Sequence, residues 1–519
     1  MTSTDLLIKD ATIITVDGER RIIDRGFVRI SHGIIEQVSA GSISSKLSSD
    51  IVVIDASGQL VFPGLINTHT HIFQTLLRGI GQDLPVWEWF AVALDTTVGH
   101  LTLEDCYLSA LVGSLEAIKS GTTCVLDYNY PHPLPKMADQ TIRAFSEIGI
   151  RGILARGIID TGEAHKSIVQ STEAEINDCE RLIKAYHGQG DGMIHVWLAP
   201  YTIFSTSVDG FKRAKDLADK YNTRLTIHAA TPSTIQAAEE LYGVGDLQHE
   251  ENIGFLGPNL LAVHCTTGIR QESLEQLSKW GVQVSHNPAS NAYLGEGIAP
   301  VRDMLNRGIK VCLGTDGPAS NNNMDMIETL KLAALMQKVD ALDPAAISAQ
   351  KVLEMATIDA AHCIGQSDFL GSIEQKAGGL WELRMAGRRC NRDEFRNLFE
   401  LFDFANANAV TTRRGETTVA PQALFLMNSP FVHQQAQHFA TELLRDAVNS
   451  QDDRLIGRAH EAVLGRQPTA EERAEAARFI EETIARFSKE QPGSEPSRSA
   501  AWASYCQLLF GLSEFSYVD

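Results

Sequence analysis

The sequence predicts an α/β protein built on a (β/α)8 TIM barrel, the scaffold of many metal-dependent enzymes, with a partial N-terminal β-sandwich domain before it and a mainly α-helical C-terminal tail after it. Three observations predict this. Eight short apolar runs, at 65–69, 122–127, 151–157, 194–200, 224–228, 260–264, 282–286 and 310–314, alternate with longer amphipathic stretches. The first, fifth, sixth and seventh runs end in histidine and Asp316 lies just beyond the eighth, where a barrel gathers its active-site residues. No Gly-rich dinucleotide loop follows the first run; Gly-Glu-Gly at 295–297 is too short to serve.

In chain order, residues 1–60 read as a small β-domain. Runs at 6–16, 27–30, 34–38 and 51–54 are rich in Val and Ile and are broken by Asp17-Gly18 and by Ser/Gly clusters. Residues 61–376 hold the barrel pattern, with helical periodicity at 103–120, 208–220, 270–280 and 324–338. Eight βα units in roughly 300 residues fit a closed barrel. Residues 377–519 change character, with charged helical patterns and a polar stretch at 488–499.

The 519 residues carry 44% hydrophobic and 21% charged side chains, enough to fill a large core. A formal charge of −20 argues against phosphate backbones, so no nucleic-acid partner is expected. No apolar run reaches the ~18 residues that span a bilayer, and the N-terminus lacks a signal-peptide pattern. The eight cysteines form no Cys-x-x-Cys pair, and Cys124, Cys265 and Cys312 sit in apolar runs. Free buried thiols fit a reducing, cytoplasmic setting. A homo-oligomer is left open.

The first barrel run ends in Thr68-His69-Thr70-His71, the fifth in His228, the sixth in His264, the seventh in His286, and Asp316 follows the eighth. Side chains repeat every two residues along an extended segment, so His-x-His points both imidazoles to one side. A lone histidine at a strand end is ordinarily a hydrogen-bonded scaffold residue, and Asp316 by itself fits a turn. Together, several imidazoles and a carboxylate make a donor set that suits one divalent metal ion, Zn2+ or Fe2+, and leaves positions open for water.

These residues also carry a resemblance. Pro63-Gly-Leu-Ile-Asn-Thr-His-Thr-His71, Thr226-Ile-His228, Ala262-Val-His264, Val284-Ser-His-Asn-Pro-Ala-Ser-Asn291 and Gly314-Thr-Asp-Gly-Pro-Ala-Ser-Asn321 resemble the amidohydrolase superfamily. The segments 290–300 and 353–359 are similar to its heterocycle deaminase and s-triazine hydrolase branch, which includes atrazine chlorohydrolase and melamine deaminase. The resemblance runs from about residue 5 to 376. It implies that His69, His71, His228 and Asp316 bind one metal ion. It further implies that His264 orients or polarises the attacking water and that Asp316 takes its proton. His286 and Ser320 are expected in the substrate pocket. The implied partner is a small heterocyclic substrate of purine, pterin, pyrimidine or triazine type, and the implied reaction is hydrolysis of a carbon–nitrogen bond other than a peptide bond.

Two departures matter. Deaminases of this branch carry a glutamate three residues after the third histidine, where it protonates a ring nitrogen; here that position is Thr231. A hydroxyl orients a bond or fills space but does not serve as an acid near neutral pH. Glu163, Glu239 and His249 are the candidate substitutes. Gly317 offers no side chain where triazine hydrolases have a discriminating polar residue, which weakens dechlorination. Three readings stay open: an aminohydrolase, a dechlorinating triazine-type hydrolase, and a catalytically impaired chimera.

Past Gly-Ser-Ile-Glu at 371–374, the expected return strands of the β-domain are missing. The chain reads Gln375-Lys-Ala-Gly-Gly-Leu-Trp381 instead. The segments 398–404, 411–430, 464–472 and 513–519 resemble the C-terminal end of an uncharacterised bacterial family often associated with cytochrome c modules. No Cys-x-x-Cys-His site is present, so no redox role is expected. A chimeric reading frame is the simplest account. It leaves apolar strand edges in the β-domain, with 380–385 as a replacement strand.

Overall fold

The protein is described from a computed structural model over residues 5–43, 51–162, 164–266, 269, 271–374, 430–445, 452–490 and 497–510. The chain divides into two compact units, Met1–Gly387 and Arg388–Asp519.

The first unit opens with a five-stranded sheet made of β1 (Leu6–Ile14), β2 (Ile22–Ser31), β3 (Ile34–Ala40), β4 (Val52–Asp55) and β5 (Leu60–Val61). Its order is β3-β2-β1-β4, with β5 also on β1. Strands β1–β3 pair antiparallel, whereas β4 and β5 run parallel to β1. Ile8, Ile13, Val28 and Ile30 form one buried face, which Ile373 joins from the far end of the unit. The Ile373 amide bonds Thr15 O at 2.7 Å, so the 371–374 element does return to this sheet. The described residues supply one layer of the expected partial sandwich. Ile22, Val52 and Leu60 are exposed on it. The candidate replacement strand at 380–385 lies outside the described residues.

The barrel follows as β6 (Leu65–Thr70), β7 (Thr122–Asn129), β8 (Arg151–Ile158), β9 (Ile194–Pro200), β10 (Leu225–Ala229), β11 (Leu260–His264), β12 (Gln283–His286) and β13 (Val311–Leu313). Each strand pairs in parallel with the next. The ring closes where the Asp316 amide donates to His69 O at 3.0 Å and Thr68 Oγ1 donates to Leu313 O at 2.9 Å. Helices cover one side of these strands and the barrel interior the other, which is why they read as near-continuous apolar runs. The expected helices appear as Leu103–Lys119, Val208–Tyr221, Gln271–Trp280 and Met326–Asp340. Several start on clear signals. Thr102 and Asp105 form a capping box, and Ser207 caps Val208–Tyr221.

Among the described residues, the second unit shows four helices: Pro430–Arg445, Asp452–Leu464, Ala470–Glu490 and Ser497–Phe510. Trp502, Ile456, Ala440 and Leu509 fill its core. His460 and Tyr505, both buried, hydrogen-bond each other at 2.9 Å. The motifs at 398–404, 411–429 and 513–519 lie outside the described residues. No described helix is long and apolar enough to cross a membrane.

Candidate metal centre and active site

His69 near the end of β6 and His71 just beyond it lie with their ring centroids 4.7 Å apart, as expected where the two-residue period of an extended segment turns both to one side. One ligand atom each from His69, His71 and His228 lies within 4.8 Å of the others, and the same holds for His69, His264 and Asp316. His69 Nε2 and His71 Nε2 stand 3.3 and 3.4 Å from Asp316 Oδ1, and His264 Nε2 is 3.8 Å from Oδ2. Side chains from β6, β10 and β11 and from the loop after β13 thus meet at one mouth of the barrel.

The hydrogen atoms show what this cluster fits. His71 Nδ1 faces Tyr128 O at 2.8 Å and His228 Nδ1 faces Tyr201 O at 2.9 Å. A carbonyl only accepts, so both Nδ1 atoms carry the proton. Yet the two Nε2 atoms approach to 3.2 Å. With both imidazoles neutral, two lone pairs point at each other, an arrangement that a cation between them relieves. His69 is fully buried and neither of its ring nitrogens has a hydrogen-bond partner. Buried, unsatisfied nitrogen donors beside a carboxylate fit a divalent metal ion. The backbone carbonyls that fix the tautomers are the partners metal-binding histidines usually have.

Electrostatics keep these donors available. Burial, with help from His69, lowers the His71 pKa to about 3, and burial drives His228 well below its ordinary value. Burial also lowers His264. Burial alone would raise the Asp316 carboxyl, but the surrounding imidazoles of His69, His71 and His264 outweigh it and hold the group well below the usual carboxylate range. Neutral imidazoles and an ionised carboxylate are the forms that bind metal.

The backbone around the cluster is strained. Ala230, His264, Cys265 and Asp316 all have positive φ, at 54°, 77°, 48° and 61°. Such non-glycine conformations cost ~1–3 kcal/mol each and gather at functional sites. The Asp316 amide holds His69 O, and Cys265 and Thr266 bond back to Ala229 O and Ala230 O. Gly314 is required two residues before Asp316: a Cβ there would lie 2.3 Å from Asn287 Oδ1 and 2.8 Å from His69 O.

A cavity opens onto the cluster. His71, His228, His264, Asp316, Thr231 and Ser320 all line it, with Tyr130, Tyr201, Trp89 and Phe90 as aromatic walls. Tyr130 and Tyr201 pack together at a 30° tilt with centroids 4.2 Å apart. His286, expected in the substrate pocket, does not line it. Its ring is fully buried at the end of β12, with neither nitrogen hydrogen-bonded and its pKa lowered by burial to about 3. Thr231 caps the helix Pro232–Tyr242, its Oγ1 accepting from the Thr234 amide. Among the candidate acids, Glu239 is exposed on that helix, His249 is stacked on Tyr242 away from the cavity, and Glu163 lies outside the described residues.

Sequence reasoning missed three cavity residues. Asn291 Oδ1 accepts from His264 Nδ1 at 2.8 Å and so fixes that ring. Gln74 fills the space over Gly317, where a Cβ would fall 1.9 Å from its Oε1. Glu296 lines the cavity and is the only carboxylate besides Asp316 among its lining residues. Asn291 and Glu296 both lie in the 290–300 segment, yet no periodic signal marks any of the three as a cavity residue.

Comparison with known proteins agrees with this geometry. Residues 60–377 match the amidohydrolase family, and residues 345–480 match a family described as a protein of unknown function (DUF1553). The chain is 37% identical over 377 residues to a 5-methylthioadenosine/S-adenosylhomocysteine deaminase of Desulforamulus reducens, covering 72% of this chain and 83% of the relative. The fold is similar to an adenosine deaminase from Xanthomonas campestris with bound zinc, with a TM-score of 0.66, 26% identity, and coverage of 73% and 83%. It is also similar to the zinc complex of an atrazine chlorohydrolase from Arthrobacter aurescens, with a TM-score of 0.68, 28% identity, and coverage of 73% and 87%. With its parallel barrel and its converging histidines and aspartate, this chain belongs to the amidohydrolase family and is a hydrolase of carbon–nitrogen bonds other than peptide bonds.

Proposed function

We propose that the chain removes an exocyclic amino group from a nitrogen heterocycle as ammonia, with a 6-aminopurine nucleoside as the leading substrate class. The observation that carries this reading is the pair of buried Nε2 lone pairs of His71 and His228, 3.2 Å apart beside Asp316. The deaminase relatives and the aromatic walls of the cavity support the substrate class.

His69, His71, His228 and Asp316 would hold one metal ion; the zinc in both solved neighbours favours zinc over iron. When bound, a divalent ion lowers the pKa of a water in the site from ~15.7 toward ~7. Asp316 then takes a proton from that water and returns it to the departing nitrogen. His264, fixed by Asn291 and facing Asp316 Oδ2, orients the water. Tyr130 and Tyr201 stack against the heterocycle, while Thr231 and Ser320 meet its polar edge. His286 is assigned to the scaffold beneath.

Seven described cysteines are free and buried, which supports the cytoplasm as the compartment. Matches to two unrelated families support reading the chain as a fusion whose chemistry resides in the first unit.

A screen for ammonia release from aminopurine nucleosides, pterins, aminopyrimidines and aminotriazines, run beside metal analysis, tests this. Turnover of at least one class with about one zinc or iron per chain is expected. Full metal content with no turnover of any class would refute the substrate reading.

A further inference from the structure

Hydrolysis of a ring amidine needs an acid. As water adds to the carbon bearing the amino group, the C=N electron pair moves onto the ring nitrogen, which must take a proton. Thr231 faces the cavity where that acid is wanted and cannot supply it alone. Glu296, from the loop after the helix Pro288–Tyr293, reaches the same cavity between two left-handed glycines, Gly295 (φ 69°) and Gly297 (φ 89°). Its amide bonds Asn291 O at 2.9 Å, tying it to the residue that fixes His264. Its Oε2 lies 3.1 Å from Ser233 Oγ, and Ser233 Oγ lies 2.8 Å from Thr231 Oγ1. A carboxyl is thus linked by two hydroxyls to the edge of the cavity at residue 231. No lysine or arginine pairs with Glu296 among the described residues.

We propose that Glu296 is the proton source of the reaction and that Ser233 and Thr231 relay its proton to the ring nitrogen. The inference rests on the reading of the chain as a heterocycle aminohydrolase. The hydroxyls rotate, so the chain of hydrogen bonds runs in either direction. With Glu296 protonated, it donates to Ser233, Ser233 to Thr231, and Thr231 to the substrate. As the water oxygen bonds to carbon, the ring nitrogen takes the Thr231 proton, Thr231 takes that of Ser233, and Ser233 takes that of Glu296. Asp316, holding one water proton, passes it to the amino group. The C–N bond then breaks and ammonia leaves. The second water proton is released as the hydroxyl becomes a carbonyl, and it restores Glu296 through solvent in the cavity. Atoms and charge balance, with no co-reactant beyond water.

The test uses the full-length, metal-loaded chain with 5'-methylthioadenosine and adenosine as probes, and follows ammonia, KM, kcat and the pH profile. Glu296→Gln keeps a hydrogen-bonding side chain but no acid. It is expected to lower kcat by ~10²–10⁴-fold, with KM changed less than about threefold and metal content unchanged. It should also remove the limb of the pH profile on which a protonated acid is needed. Ser233→Ala, which cuts the relay, should show the same split. Thr231→Glu in the Glu296→Gln background places an acid directly at the substrate and should recover most of the loss. A purely structural Glu296 would show neither the lost limb nor the recovery. Glu296→Gln with kcat within threefold of the native chain and an unchanged pH profile overturns the inference. So does ammonia release by Thr231→Glu alone from probes the native chain leaves untouched, an outcome that spares the aminohydrolase reading. Silence of both chains despite bound metal overturns that reading and the relay with it.

Discussion

The barrel mouth and the C-terminal helical unit both bury histidine, but in opposite ways. In the helical unit, His460 bonds Tyr505 at 2.9 Å inside an apolar core around Trp502. At the barrel mouth, His69 is as deeply buried with its Nε2 3.3 Å from Asp316 Oδ1, and His71 and His228 face each other through lone pairs. Ala230, His264, Cys265 and Asp316 carry strained backbone beside them. What sets the barrel mouth apart is convergence: ligand atoms of His69, His71 and His228, and of His69, His264 and Asp316, lie within 4.8 Å of one another, where the helical unit buries a single histidine among the described residues. Several nitrogen donors and a carboxylate gathered on a strained frame are what a site awaiting an ion requires, and they locate the chemistry in the first unit.

The sharpest way to break this comparison is to remove donors from each region. Asp316→Ala or His69→Ala should abolish measurable ammonia release and most of the metal. His460→Ala should leave kcat within about twofold and cost only stability. Loss of activity on changing His460 would contradict the assignment. Next in size, Trp502→Ala should destabilise the helical unit by ~3–5 kcal/mol without changing turnover, read by unfolding of the full chain against its kcat. Asn291→Ala frees the His264 ring and should lower activity ~10–100-fold, as loss of an outer partner does, with metal retained.

A separate effect is a pH dependence of stability. Asp127 is fully buried, accepts from the Ile72 amide and the Asn129 side chain, and has its pKa raised by burial to about 7. The unfolded chain gives up this proton near its ordinary value, so between about pH 4 and 7 the folded state holds more protons. Its contribution therefore falls as pH rises through that window, by up to ~4 kcal/mol, and levels off above it. Native and Asp127→Asn unfolding midpoints should accordingly converge toward low pH and separate toward neutral pH, with the variant the more stable at pH 7.5. Parallel curves would show that Asp127 does not titrate there.

Much of the barrel was legible because buried parallel strands leave a plain signature. The runs at 194–200 and 260–264 became β9 and β11 with those bounds, and the others shifted by a few residues at most. The histidines at strand ends were legible for the same reason, since register fixed their direction. His286 was expected in the pocket, but a strand-end position does not say which layer a ring enters; it is fully buried and does not line the cavity. Glu296, Asn291 and Gln74 were illegible as site residues, because their places depend on how loops from separate strands fold back over the mouth. The turn at Gly295–Gly297 has no period from which that return can be read. Thr231 stood out in the sequence as a departure, and the hydroxyl link from it to Glu296 appears only in three dimensions.

Metal analysis of the purified full-length chain and of His228→Ala tests the central claim most directly. The account predicts about one zinc or iron per native chain and less than ~0.1 in the variant, with the fold intact by circular dichroism. Equal metal in both, or none in an active native chain, would contradict it.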